Sequence, residues 1–102
     1  MTTVVVLFNL KPGADVAAYE NFARTTDLPI VNRLESVKKF SVLKASGLMS
    51  GGPAPYRYVE LIELHSLEGL RSDASSPTMK KVAAEFREFA DAPLFLITEP
   101  VE

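Results

Sequence analysis

The sequence predicts an α+β fold of order β-α-β-β-α-β, and three observations carry that expectation. Apolar runs rich in β-branched or aromatic residues open and close the chain, at Thr3 to Leu10 and at Ala92 to Thr98. Between them, two stretches that begin near Asp15 and Ser76 repeat apolar residues every three or four positions. Two alternating segments, Val37 to Ala45 and Tyr56 to His65, are separated by a stretch rich in Gly and Pro. Both terminal runs are apolar on both alternating faces. Helices cover only one side of such a sheet, so a second copy of the chain is expected to cover the other, giving an obligate homodimer.

Each element follows from local chemistry. The first strand stops at Lys11-Pro12-Gly13, where Pro and Gly both end regular structure. Asp15 is placed to cap a helix in which Val16, Tyr19, Phe22, Ala23 and Thr26 recur, turning Tyr19 and Phe22 inward. Asp27-Leu28-Pro29 interrupts that pattern. Since Pro is tolerated in a first turn, Asp27 is expected to cap a second short helix with Ile30, Val31 and Leu34 inward, producing a kinked pair.

Val37 to Ala45 alternates Phe40 and Val42 with Ser41 and Leu43, and Lys38 and Lys39 lie at its exposed start. Ser46 to Pro55 holds too much Gly and Pro for any element and reads as a long, mobile hairpin loop, with a lid as one use for it. In Tyr56 to His65, one face carries Tyr58, Glu60, Ile62 and Leu64, and the other Arg57, Val59, Leu61, Glu63 and His65. Ser66 to Leu70 reads as a capped helical turn. Ser76 caps a stronger helix, with Pro77 first and Met79, Val82, Ala83, Phe86 and Phe89 as its buried stripe. Ala92 to Thr98 closes what is then a ferredoxin-like domain over residues 1–102, an antiparallel sheet with its helices on one face.

Composition narrows the function classes. With 102 residues, 47% of them hydrophobic, the chain can build one modest core. Interspersed charges, 11 Lys and Arg against 13 Asp and Glu, give no steering field for nucleic acid and no basic face for a membrane. The absence of Cys removes disulfides, thiol catalysis and thiolate metal sites. Neither a secretory signal nor a run of the roughly 20 apolar residues that cross a bilayer is found, so a cytoplasmic protein is expected.

Several polar residues stand in or beside apolar elements. His65, the only histidine, could act as acid or base at a strand end, or simply sit at the surface; without other soft ligands a metal is not expected. Glu60 lies mid-strand between Val59 and Leu61, where an unpaired carboxylate would be costly. It is either a pocket acid of raised pKa, bonded to Tyr19, Tyr58 or Asn9, or a structural residue on a partly solvated face or paired with Arg57 or Lys44. Asn9 either orients a polar ligand or ties down the Lys11-Pro12-Gly13 turn. Asp27 has two readings as well, a cap or a base beside a pocket, and a buried Tyr19 needs a partner for its hydroxyl. A cavity lined by Tyr19, Glu60 and Asn9 would favour an enzyme, whereas filling of that space by Phe22, Phe86 and Phe89 would favour an inert dimer.

Together the strand before Lys11-Pro12-Gly13, Ala18-Tyr19-Glu20-Asn21-Phe22, Thr26-Asp27-Leu28-Pro29, Ser36-Val37-Lys38-Lys39-Phe40, Tyr58-Val59-Glu60-Leu61-Ile62-Glu63 and the run from Ala84 to Phe95 give the chain its resemblance to a family. It resembles, over nearly its whole length, the RedY-like or HapK proteins associated with prodigiosin-type pathways. The resemblance implies a dimeric α+β barrel, in the superfamily of cofactor-independent antibiotic-biosynthesis monooxygenases, with a small aromatic ligand between sheet and helices. It also implies cyclisation or tailoring of pyrrole- or indole-containing intermediates, without a cofactor. Tyr19, Asp27, Tyr58, Glu60 and Glu63 match the family pattern, while Asn9 and His65 are added by the physical reading alone. Glu60 and His65 are thus the expected proton-transfer groups, and Asn9, Tyr19, Asp27 and Tyr58 the ligand-binding ones. A non-catalytic binder or structural dimer is the alternative.

Overall fold

Asp15 accepts a hydrogen bond from the Ala18 amide at 3.2 Å, and Ser66 and Ser76 cap the later helices in the same way, through Gly69 and Met79. In a computed structural model describing residues 1–102, these caps set the order β1 (Thr3–Leu10), α1 (Val16–Phe22), α2 (Leu28–Val31), β2 (Val37–Lys44), β3 (Tyr58–Leu64), α3 (Leu67–Asp73), α4 (Pro77–Phe89) and β4 (Ala90–Thr98). The sheet runs β2-β3-β1-β4 with every neighbouring pair antiparallel. This is the ferredoxin-like α+β arrangement that the element order predicts. No helix is long and apolar enough to cross a membrane.

The helix-facing side of β1, β2 and β3 is the core, whereas β4, expected to be buried on both faces, leaves Phe95 and Ile97 exposed on that side. Val6 and Phe8 of β1 are fully buried, and Tyr19, Phe22, Val31, Phe40, Tyr58, Leu64, Val82 and Phe86 close around them. Phe8 stacks on Tyr58 at 5.4 Å between ring centroids and meets Tyr19 and Phe86 edge-on, so one aromatic cluster ties β1 and β3 to α1 and α4. The opposite face has no such cover: Leu43, Leu94 and Leu96 are exposed, and Val5, Leu7, Val59 and Leu61 only half-buried.

Three local features depart from the sequence reading. Asp27 caps nothing. Helix runs from Val16 to Val31 through a π-turn at Ala23–Asp27, in which the Leu28 amide reaches back five residues to the Ala23 carbonyl. The wider turn carries the chain past Pro29 without a break, and Asp27 becomes buried rather than terminal. β4 begins two residues earlier than expected and contains a bulge: Leu7 pairs with Leu94 and Asn9 with Asp91, so Phe8 faces both Ala92 and Pro93. Ala92 takes a φ of 43° there. β3, in turn, is shorter at both ends than Tyr56 to His65.

Candidate functional site

Glu60 occupies the centre of β3 on the helix-facing side, between Val42 of β2 and Val6 of β1 in the cross-strand register. The period-2 alternation that buries Tyr58 and Leu64 forces Glu60 inward with them, leaving it 5% exposed. Beside it, between sheet and helices, lies a cavity of about 180 Å³. Its walls are mainly apolar, with Val31, Phe40, Ile62, Met79, Val82 and Phe86 among them. Asp27, also 5% exposed, brings a second carboxyl to the same wall from the π-turn. The solvent-exposed Arg87 and Phe95 border the cavity as well.

Neither carboxyl has a cation against it. Glu60 Oε2 is buried with no hydrogen-bond partner, and so is the Tyr19 hydroxyl. The two groups lie close enough for each to influence the ionisation of the other, but their geometry falls short of an ordinary hydrogen bond. Loss of water raises the Glu60 pKa most, the Asp27 charge raises it further, and Tyr19 offsets part of this, leaving it at about 8. Burial, reinforced by Glu85 of α4, lifts Asp27 to about 7. Tyr19 is raised as well, first by burial and then by Glu60 and Asp27. The cavity therefore holds two carboxyls that exchange protons near neutrality, the range in which general acid–base catalysis works best.

The remaining expected residues fall elsewhere. His65 is exposed beyond the end of β3, in a polar depression with Ser36 and Asp73, and does not border the Glu60 cavity. Asn9 does not tie down the Lys11-Pro12-Gly13 turn. Its Nδ2 donates to the Pro55 carbonyl at 3.0 Å and its Oδ1 accepts from the Arg57 amide at 2.8 Å, anchoring the end of the long loop. Tyr58 is buried, but its hydroxyl donates to Glu20 at 2.8 Å, away from Glu60. Lys44, a suggested partner for Glu60, also binds Glu20, at 3.0 Å. Of the residues expected to share a site with Glu60, Asp27 lines the same cavity, Tyr19 adjoins Glu60 without lining that cavity, and Asn9, Tyr58 and His65 lie elsewhere.

Residues Ser46 to Pro55 line no part of the cavity, so this loop is not its lid. Phe22 and Phe89 pack on Tyr19, and Phe86 forms one wall, leaving the space beside Glu60 open. Sequence reasoning missed the Glu20 cluster, although Glu20 and Arg24 stand four residues apart on one helix and pair at 3.3 Å. It also missed Arg87 and Leu70 as cavity neighbours, which no local pattern marks.

Comparison with known proteins bears out the fold. The chain superposes on the crystal structure of HapK from Hahella chejuensis with a TM-score of 0.82 and 27% identity, covering 99% of this chain and 93% of that one. An Arabidopsis thaliana protein gives 0.83 at 20% identity, over 100% and 97% of the two chains. A dimeric ferredoxin-like protein of unknown function from Thermobifida fusca gives 0.73 at 15%, over 97% and 90%. No curated protein sequence matches significantly. The family described as REDY-like protein HapK matches residues 2–101, and the chain belongs to that family.

Proposed function

We propose that this protein is a cytoplasmic, cofactor-free enzyme of secondary metabolism that cyclises or otherwise tailors a small apolar aromatic intermediate of pyrrole or indole type. The observation that carries this reading is Glu60, a carboxyl buried mid-strand with one oxygen unpaired, in the wall of an apolar cavity. A structural strand residue would have been apolar or paired there. Glu60 is the proton-transfer group. Its neutral form delivers a proton and its carboxylate takes one back, with a pKa near 8 that keeps both forms populated around neutrality. Burial sets most of that poise, Asp27 in the same cavity adds to it through its charge, and Tyr19 steadies the ionised Glu60 from the protein side. Asn9 and Tyr58 act at one remove, since their polar atoms are engaged by the long loop and by Glu20.

The working unit in this reading is a homodimer joined through the open sheet face. Leu43, Leu94 and Leu96 leave that face apolar and exposed, larger than scattered surface hydrophobics and flanked by the half-buried Val5, Leu7, Val59 and Leu61. The Thermobifida fusca protein of the same fold is described as dimeric. Incubation of pyrrole- and indole-bearing intermediates with the protein and with Glu60→Gln, followed by mass spectrometry, tests the catalytic assignment. Loss of about 10²–10⁴ in rate with folding intact is expected for removal of a general acid–base group. Equal turnover by the variant would remove Glu60 from the mechanism.

A further inference from the structure

The inner wall of the cavity is rich in acceptors and poor in donors. Each ionised carboxyl offers about four lone-pair sites, whereas the carboxyls contribute no more than one proton each, and the Tyr19 hydroxyl near Glu60 lies outside the cavity lining. Glu85 of α4 raises the Asp27 pKa, adding to the negative surroundings. Arg87 is the one cation bordering the cavity, and it is exposed to solvent. Lys44 and Arg24 are both engaged by Glu20 outside it. Two buried carboxyls thus face an apolar space, and neither forms an ion pair with Arg87 or any other cation of the protein.

From this juxtaposition of an unpaired, buried Glu60 with Asp27 in an apolar cavity, we infer that the ligand presents a cationic N–H group, such as an amine, an amidine or a protonated imine, on an apolar ring. The cation supplies the charge and the donors that the wall lacks. Its ring fits the space, since a cavity of roughly 150 Å³ accepts benzene and this one is about 180 Å³. Burial of the cation is offset by the carboxylates it meets, whereas an anion would meet like charge and a neutral ring would leave the carboxyls as they are. This inference rests on the proton-transfer reading only for the identity of the site, and it concerns binding rather than turnover.

Seating a cation requires Glu60 and Asp27 to give up protons that they hold at lower pH. Affinity for a cation therefore rises with pH up to the Glu60 pKa, by about tenfold per pH unit for each proton released. Calorimetric titration of the full chain with benzamidine, benzyl alcohol and benzoate between pH 6 and pH 9 tests this, because benzamidine stays cationic throughout. The expected result is tightest binding by benzamidine, strengthening from pH 6 to pH 8, with at least a tenfold loss and a flattened pH profile in Glu60→Gln. Asp27→Asn provides the same comparison if Glu60→Gln does not fold. Binding of benzyl alcohol or benzoate as tight as that of benzamidine, a pH-independent benzamidine affinity, or no binding of any of the three overturns the inference. Failure of the proton-transfer reading is separate and shows as unimpaired turnover in Glu60→Gln.

Discussion

Raising the pH from 5 to 7 is expected to destabilise the protein, and Glu60→Gln is expected to remove much of that loss. Folding raises the Glu60 pKa from 4.5 to about 8 and the Asp27 pKa from 3.8 to about 7. Within those windows the folded chain binds protons that the unfolded chain has released, so stability falls as pH rises. Their contribution is fully present below the unfolded values and is lost through the folded ones. One proton is worth about 1.4 kcal/mol per pH unit, so Glu60 alone removes about 3 kcal/mol between pH 5 and pH 7. A domain of this size has roughly 5–15 kcal/mol in total, and such a loss lowers Tm by on the order of 10–20 °C. Differential scanning calorimetry at one protein concentration reads this directly, since a dimer's Tm depends on concentration. Glu60→Gln should have the shallower curve and be at least as stable as the parent at pH 8. A parent Tm that is flat or rises from pH 5 to pH 7, or a variant that keeps the full slope, would refute the burial argument.

Other outcomes follow from single contacts. Ala92→Gly should be neutral to stabilising by about 1 kcal/mol in chemical denaturation, because the alanine sits at φ 43° in the β4 bulge; a clear loss would mean that its methyl group matters more than its backbone. Asn9→Ala removes both bonds to the end of the long loop and should cost about 1–3 kcal/mol, with faster hydrogen exchange at the Arg57 amide. Leu96→Glu places a charge on the open sheet face and should yield a monomer by light scattering, while the untouched chain stays dimeric at low micromolar concentration. His65→Ala should leave turnover unchanged, as the imidazole lies outside the cavity; a large loss would relocate the site.

Element order was legible because it rests on local periodicity and turn chemistry. Asp15, Ser66 and Ser76 cap where their spacing placed them. That Glu60 shares a face of β3 with Tyr58, Ile62 and Leu64 was also readable, but not that this face is buried at Glu60. What surrounds Glu60 was not, because partners from other elements depend on crossing geometry that no local pattern encodes. Lys44 lies diagonally across the β2–β3 ladder from Glu60 yet reaches Glu20, and Asn9 spans 48 residues to Arg57. Asp27 was misread as a cap because Asp before Leu-Pro has the composition of a helix start, and a π-turn carries no equally clear signature.

That π-turn has an evolutionary consequence. It holds one residue more than an ordinary helical turn, and each residue rotates the chain by about 100° about the axis. Removing one residue between Ala23 and Thr26 would restore regular winding while swinging the Asp27 side chain off the interior, leaving Glu60 as a lone acid. A single codon therefore separates a helix that brings Asp27 to the Glu60 cavity from one that does not.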